Sequence, residues 1–145
     1  MDIEEIEKMW AEDCKIDEAN IAGEAAKIPQ LHSKYYKLYY RAVMKCNKLK
    51  SELKILEKDK TEYYNGTMAQ EDLKERGWKP NPLKILRNDM DKYIQSDKDI
   101  IELCLKIDYY TGMAKFLEDV IRQLNNRNFQ LKTIVDWVKF QAGGY

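Results

Sequence analysis

Residues 21–63 read IAGEAAKIPQLHSKYYKLYYRAVMKCNKLKSELKILEKDKTEY, and this stretch decides the fold class. Its apolar and aromatic residues return at alternating intervals of four and three, a heptad pattern sustained over about six repeats. The pattern predicts one long helix over residues 17–64 that packs lengthwise on a partner. We expect Pro29 to bend or briefly break it, because proline removes a backbone hydrogen bond. The repeating positions, called the seam below, are Ile21, Ala25, Ile28, His32, Tyr35, Tyr39, Ala42, Cys46, Leu49, Leu53, Leu56, Lys60 and Tyr63.

Shorter helical patterns flank this stretch, and no strand pattern is convincing. Helices are predicted at residues 3–13, at 69–76, from 82 onward, at 96–124 and at 129–141. Asn65-Gly66, the linker 77–82 and the asparagine-rich segment 125–128 separate them, and Gly143-Gly144 caps the last helix. We therefore expect an all-α protein of long coiled-coil-like helices.

Three regions follow from this pattern: an N-terminal helical region with the long basic helix at 1–66, a linker at 67–82 and a C-terminal helical region at 83–145. The last helix carries an apolar stripe, formed by Leu131, Ile134, Val135 and Val138, with Phe129 nearby. A terminal helix this apolar either docks on its own domain or is buried between subunits, and a helix of roughly 70 Å is longer than one small domain can cover. We therefore expect the C-terminal region to assemble copies of the chain into a homo-oligomer.

Motifs of enzymes and cofactor-binding proteins are missing from the sequence. A single histidine, His32, and three widely spaced cysteines provide no zinc-ligand spacing, and neither of the glycine-rich phosphate-binding motifs occurs. We expect no catalysis, no cofactor and no metal. The acidic first residues are unlike a signal peptide, and no apolar run spans a membrane, so we expect a cytoplasmic protein.

The distribution of charge is more informative than its total. Residues 1–33 contain nine acids and three bases, whereas residues 34–60 contain nine bases and three acids. In the heptad frame the outer positions of the basic stretch are occupied by Lys34, Lys37, Arg41, Lys48, Lys54 and Lys58. Uncompensated cations along one helix are typical of a track for a polyanion such as single-stranded DNA. An acidic protein partner is the competing interpretation, and the acidic residues 1–33 could themselves be that partner.

Tyrosine pairs allow a second interpretation of the same stretch. Tyr35, Tyr39 and Tyr63 lie on the seam and are expected to pack, whereas Tyr36 and Tyr40 lie beside Lys37 and Arg41. Off-seam aromatic rings next to cations can stack on bases without sequence preference. No helix-turn-helix spacing supports a sequence-specific duplex binder.

Several motifs in order resemble a known family. Ile16-Asp17, Glu24-Ala25-Ala26 and Leu31-x-Ser33-Lys34 are similar to the start of the long helix in the UvsY family of T-even phage recombination mediators. The later motifs that match in order are Lys58-x-Lys60-x-x-Tyr63-Tyr64-x-Gly66, Asp97-Lys98-Asp99, Arg127-x-Phe129 and Phe140-x-Ala142-Gly143. The resemblance covers most of the chain and is weak over residues 67–95.

This resemblance implies a function and a set of partners. It implies a closed ring, a hexamer or heptamer, that binds single-stranded DNA in the cytoplasm of an infected bacterium. The ring would loosen the phage single-strand-binding protein and help load a RecA-type, UvsX-like recombinase. The family's DNA-contacting basic pair falls on Lys58 and Lys60, where Lys60 replaces arginine and so lacks its bidentate fork. The alternative is a non-enzymatic coiled-coil scaffold whose basic face binds an acidic protein.

Overall fold

A computed structural model of the chain describes residues 1–81 and 83–143. All regular structure within these residues is helical, which confirms the all-α prediction. A short 3-10 turn, Arg87–Asp89, precedes the fourth helix. The α-helices are α1 (Ile3–Asp13), α2 (Ile21–Asn65), α3 (Gln70–Arg76), α4 (Met90–Gln95), α5 (Lys98–Asn125) and α6 (Arg127–Gln141).

The seam of α2 has the predicted register. From Tyr35 to Tyr63 every seam residue is buried or half-buried, and Tyr35 has no exposed surface. Ala25, near the start of the helix, is the exposed member of the seam. The helix runs unbroken through Pro29, so of the two expected effects the break does not occur and the bend stays a prediction. A long helix with a well-covered seam tolerates the absence of one backbone hydrogen bond.

Near the start of the long helix, the boundary differs from the prediction because side chains accept hydrogen bonds from backbone amides. The long helix begins at Ile21 instead of Asp17, because Asn20 accepts a hydrogen bond from the Gly23 amide at 3.2 Å. Asp17 instead accepts one from the Ala19 amide at 3.0 Å and so stabilises a preceding turn.

The helix predicted from residue 82 onward is wrong. Residues 83–86 are not helical, and α4 begins only at Met90. The Ile85 amide donates a hydrogen bond to the Tyr64 carbonyl at 3.0 Å, which holds this segment against the end of α2. Pro82 and Gly144, which the sequence assigned to a helix start and a cap, lie outside the described residues. The last helix begins at Arg127 instead of Phe129, since Asn126 alone interrupts the helical backbone.

Two compact units divide the chain. The first comprises residues 1–43 and 112–145, and thus α1, α6 and parts of α2 and α5. Its core is formed by fully buried apolar side chains from these helices, among them Ile6, Leu117 and Leu124. α1 begins with a capping box between Asp2 and Glu5, so its first turn is closed by its own side chains.

The second unit comprises residues 44–111. Within it α2 and α5 run antiparallel, because Cys46 contacts Thr111 at one end and Lys60 contacts Asp97 at the other. The same number of residues separates the two contacts on each helix, so the helices keep one register over this length. Leu49, Leu56 and Ile107 fill the space between them. The predicted boundaries at residues 66 and 82 fall inside this unit, and the division into an N-terminal, linker and C-terminal region stays a prediction.

A pair of leucines tests how far the first unit's core stabilises the fold. Leu124→Ala should lower the free energy of unfolding by about 3 kcal/mol, because it leaves a cavity at a fully buried position. Leu86→Ala, at a leucine that is 70% exposed, should change it by less than about 0.5 kcal/mol. Urea unfolding followed by circular dichroism at a fixed protein concentration measures both. Equal effects would contradict this core.

Candidate nucleic-acid interface

Six cations of the basic stretch are predicted to contact DNA and lie in three different environments: Lys34, Lys37, Arg41, Lys54, Lys58 and Lys60. Lys37, Arg41, Lys54 and Lys58 are exposed, and none of them forms an ion pair with another described residue. Lys34 is exposed but paired, and Lys60 is buried. The predicted track is therefore accessible at four of its six positions.

Lys34 belongs to a network that joins α1 to α2 in the first unit. Its ammonium lies 2.7 Å from the Asp13 carboxylate, which also accepts a 2.7 Å hydrogen bond from the Tyr35 hydroxyl. Partial burial acts to raise the pKa of Asp13, but the hydrogen bonds from Lys34 and Tyr35 outweigh it and hold that pKa below its usual value. Burial and the Asp13 carboxylate raise the pKa of Tyr35. An acidic residue of the N-terminal region thus neutralises one predicted DNA contact.

Arg127 extends this network from α6. Its side chain is buried, donates to the Asp13 backbone carbonyl at 3.0 Å and lies over the Trp10 ring at 5.7 Å. Trp10 in turn meets the Tyr35 ring edge-on at 5.3 Å. The short N-terminal helix is therefore fixed by a guanidinium and by aromatic packing, in addition to Ile6.

Tyr36 and Tyr40 are accessible, as a role in base stacking requires. Each is about half exposed, in contrast to the buried seam residue Tyr35. The Tyr36 ring stacks on His32 with a centroid separation of 6.1 Å. His32 is half-buried and packs against an aromatic ring, in keeping with the packing role expected from its seam position.

Lys60 occupies a seam position in the second unit and is only 5% exposed. Its ammonium lies 3.1 Å from Asp97 and 2.9 Å from Asp99, both at the start of α5. The Trp78 ring covers it, with 3.9 Å between the ammonium and the ring centroid. In this arrangement the ammonium already has two anionic partners, so the predicted contact of Lys60 with DNA stays a prediction. The structure supports a positioning role instead.

Asp97 connects Lys60 to the start of α5. One carboxylate oxygen accepts from the Asp99 and Ile100 amides at 3.0 and 3.2 Å, and the other accepts from the Tyr64 hydroxyl at 2.5 Å. Burial acts to raise the pKa of Asp97, but the bonds from Tyr64, Ile100 and Lys60 hold it below its usual value. Burial and the same carboxylate raise the pKa of Tyr64. One side chain therefore caps α5 and fixes the end of α2 to it.

Lys58 and Lys54 are exposed on the same part of α2, but Lys58 has acidic neighbours. It lines a surface cavity of about 480 Å³ together with Asp59, Glu62, Asp72 and Glu75. Asp59 is neutralised by an ion pair with Arg76. The charge around Lys58 is thus mixed, which the sequence did not indicate because α3 supplies two of the acids.

Of the residues predicted to assemble the oligomer, Leu131, Ile134, Val135 and Val138 share one face of α6, whereas Phe129 lies on the opposite face. Leu131 is buried within the first unit, Ile134 and Val135 are half-buried, and Phe129 and Val138 are exposed. Trp137 and Phe140 are also exposed and stack on each other with their ring centroids 5.7 Å apart. At 100° per residue, Phe129 and Phe140 lie opposite Leu131 on the helix, and Trp137 lies next to Phe140 at about 120° from Leu131. The helix therefore has one face within its own unit and a separate exposed aromatic face.

Two further properties limit the chemistry of the described residues. No helix among them is long and apolar enough to cross a membrane. Within the same residues, histidine, cysteine and acidic side chains form no group of three or more that could hold a metal ion.

Comparison with known proteins gives a consistent result. The family model described as "Recombination, repair and ssDNA binding protein UvsY" matches residues 9–144. The recombination protein uvsY of Enterobacteria phage T4 is 21% identical over 143 residues, covering 99% of each chain. Two crystal structures of the phage T4 recombination mediator UvsY superpose with TM-scores of 0.84 and 0.83 at 20% and 21% identity. They cover 97% and 98% of this chain, and 99% and 98% of theirs.

A pH series tests the Asp97 network. Asp97→Asn keeps a capping side chain but removes the charge that pairs with Lys60, so we expect stability to fall by about 3 kcal/mol at neutral pH. Because the folded-state pKa of Asp97 is lowered, its stabilisation is complete above about pH 4 and disappears as the pH falls through that lower value. The two proteins should therefore converge in acid. Urea unfolding across pH measures this, with the exposed Asp108→Asn as control; equal effects of both substitutions at every pH would refute the network.

Proposed function

Since the chain belongs to the UvsY family, whose model describes recombination, repair and single-stranded-DNA-binding proteins, we propose that it is a recombination mediator. It binds single-stranded DNA and promotes the loading of a RecA-type, UvsX-like recombinase onto strands coated by a phage single-strand-binding protein. It acts by binding, without catalysis or a cofactor, in the cytoplasm of the infected bacterial cell. The observation that carries the proposal is a row of cations on α2 that are exposed and form no ion pair with another described residue, among them Lys37, Arg41, Lys54 and Lys58.

These cations fit a phosphate backbone for a physical reason. Residues 34–60 have six more bases than acids, and the one basic side chain buried among them is Lys60. Exposed cations without an ion-pair partner have no internal ion pair to break on meeting phosphate, and each contact releases counterions from the DNA. Tyr36 and Tyr40 lie beside Lys37 and Arg41 and supply exposed rings on which bases stack.

We assign Lys58 and Lys60 different roles. Lys58 contacts phosphate, and its acidic neighbours limit what that contact contributes. Lys60 positions the linker and the start of α5 through Asp97, Asp99 and Trp78. A change at Lys60 would then weaken DNA binding by loosening the second unit, and not by removing a phosphate contact.

The second candidate is a scaffold that binds an acidic protein through the basic stretch. The Lys34–Asp13 ion pair favours it, because an acidic segment already meets one of these cations. The two candidates differ in their response to single-stranded DNA and salt. A scaffold has no affinity for oligo(dT) near physiological salt, whereas a mediator binds with an affinity that falls steeply as salt rises.

A substitution pair tests the DNA track. Lys37→Ala with Arg41→Ala should reduce affinity for oligo(dT) and make the log–log salt dependence shallower by about 0.7 for each phosphate that the variant no longer neutralises. Helix content should be unchanged, because alanine favours helix. Fluorescence anisotropy at a series of salt concentrations measures this. Lys132→Ala with Lys139→Ala on α6 removes the same charge elsewhere and serves as control; equal salt slopes for both pairs would refute the track.

We also propose that the chain assembles into a homo-oligomeric ring, a hexamer or heptamer. Phe129, Ile134, Val135 and Val138 of α6 contribute to its contacts, and Leu131 supports them from the buried face of the helix. Trp137 and Phe140 stack on each other and are exposed in the first unit. Exposed aromatic surface of this kind is typical of a protein–protein interface. A ring displays many copies of the track, so a strand binds with avidity well above that of one copy.

Exposed and buried positions of α6 should respond differently to substitution. Phe129→Ser with Phe140→Ser should reduce the oligomer to smaller species while the helices remain formed, because both side chains are exposed in the chain. Leu131→Ser should instead destabilise the first unit, since that side chain is buried. Sedimentation velocity and circular dichroism separate the two effects. A full-size oligomer in the Phe129/Phe140 variant would overturn the assignment of the exposed aromatic face of α6 to subunit contacts.

A further inference from the structure

A groove between α2 and α5 is not among the predicted DNA contacts. It lies within the second unit, has a volume of about 420 Å³ and is lined by Lys45 and Leu49 of α2 and by Leu105, Lys106, Tyr109 and Tyr110 of α5. A cavity of this size is in the range of small-molecule sites. It lies beside the Cys46–Thr111 contact that joins the two antiparallel helices.

The lining combines the three groups that a nucleotide needs. Leu49 and Leu105 both line the groove and make part of its wall apolar; Leu105 is 62% exposed, whereas Leu49 is buried. Tyr109 and Tyr110 meet edge-to-face at 5.1 Å, and Lys45 lies 5.8 Å from the Tyr110 ring centroid. Aromatic and apolar walls accept the face of a base, and lysines at the rim accept the phosphates beside it.

The charges at the rim select the occupant. Lys45 of α2 and Lys106 of α5 are both exposed, and Glu102 is the one acidic residue in the lining. Lys48 lies three residues after Lys45 on α2 and is also exposed. The surface of α2 next to the groove is therefore positively charged as well. A net positive groove with tyrosine walls matches an anion that carries a flat apolar group, which a strand of single-stranded DNA supplies at every step.

We propose that this groove is a further DNA-binding site that takes one nucleotide of the single strand, with its base against Tyr109 and Leu105 and its phosphates between Lys45 and Lys106. The inference rests on the proposed function, because it places part of the strand's path on the second unit. It adds residues of α5 to an interface that sequence reasoning confined to α2. The tyrosine pair at 109–110 was visible in the sequence, but only the fold brings it to Lys45.

Charge-matched variants test the lysines. Lys45→Ala with Lys106→Ala should weaken binding of oligo(dT) about tenfold and make the log–log salt slope shallower by about 1.4, which is 0.7 for each lysine. Lys84→Ala with Lys98→Ala removes two exposed lysines of the second unit that lie outside both the groove and the basic stretch, and should have a smaller effect. Equal salt slopes for the two variants would overturn the site.

Photocrosslinking tests the base contact and separates the two proposals. Wild-type protein irradiated with bromodeoxyuridine-substituted oligo(dT) should form adducts on the peptide that contains Tyr109 and Tyr110. Tyr109→Leu should abolish them and weaken binding about tenfold, the effect of removing one base stack. Binding with adducts only on residues 34–60 would overturn the groove and leave the mediator function intact, whereas no binding by wild type would overturn both. Full affinity for DNA in the Lys45/Lys106 variant would likewise overturn the groove.

Discussion

The structure depends on one constraint, the need to cover the seam of a 45-residue helix that cannot bury its own apolar side chains. Within the first unit Tyr35 and Ala42 are covered, and within the second Cys46, Leu49 and Leu56 lie against α5. Hydrophobic burial dominates the stability of such packing, whereas helix propensity alone leaves most isolated helices marginal. The faces of α2 that point away from the seam are then free to carry charge, and this leaves the cations of residues 34–58 exposed.

Lys60 is the exception that connects the seam to function. A lysine at a seam position has to bring its counter-charge into the interior, and Asp97 and Asp99 supply it from the start of α5. Trp78 closes over the ammonium, and Tyr63 holds the same loop through a 2.7 Å hydrogen bond to the Lys79 carbonyl. The linker, α5 and the end of α2 therefore form one polar junction, so substitutions at Lys60 act on all three.

The sequence predicted the helices and the seam well, because a heptad period is a local signal that the packing then obeys. It predicted the site less well, because exposure depends on partners distant in the chain. Nothing in residues 34–60 indicates that Asp97 neutralises Lys60, that α3 brings acids to Lys58 or that α6 places Leu131 inside its unit. One signal was present: a lysine where the seam requires an apolar residue indicates a buried ion pair. The non-helical start of the segment after the linker was missed because a backbone bond to Tyr64 overrides its helix propensity.

The central claim is that the basic stretch contains contacting cations and one structural cation, Lys60. Lysine acylation rates, mapped by mass spectrometry with and without saturating oligo(dT), test it in a single measurement. We expect Lys37, Lys54 and Lys58 to react rapidly in the free protein and to be protected by DNA, because their ammonium groups are exposed. Lys60 should react slowly in both states, since Asp97, Asp99 and Trp78 enclose it. Rapid modification of Lys60 in the free protein, with strong protection by DNA, would contradict the account.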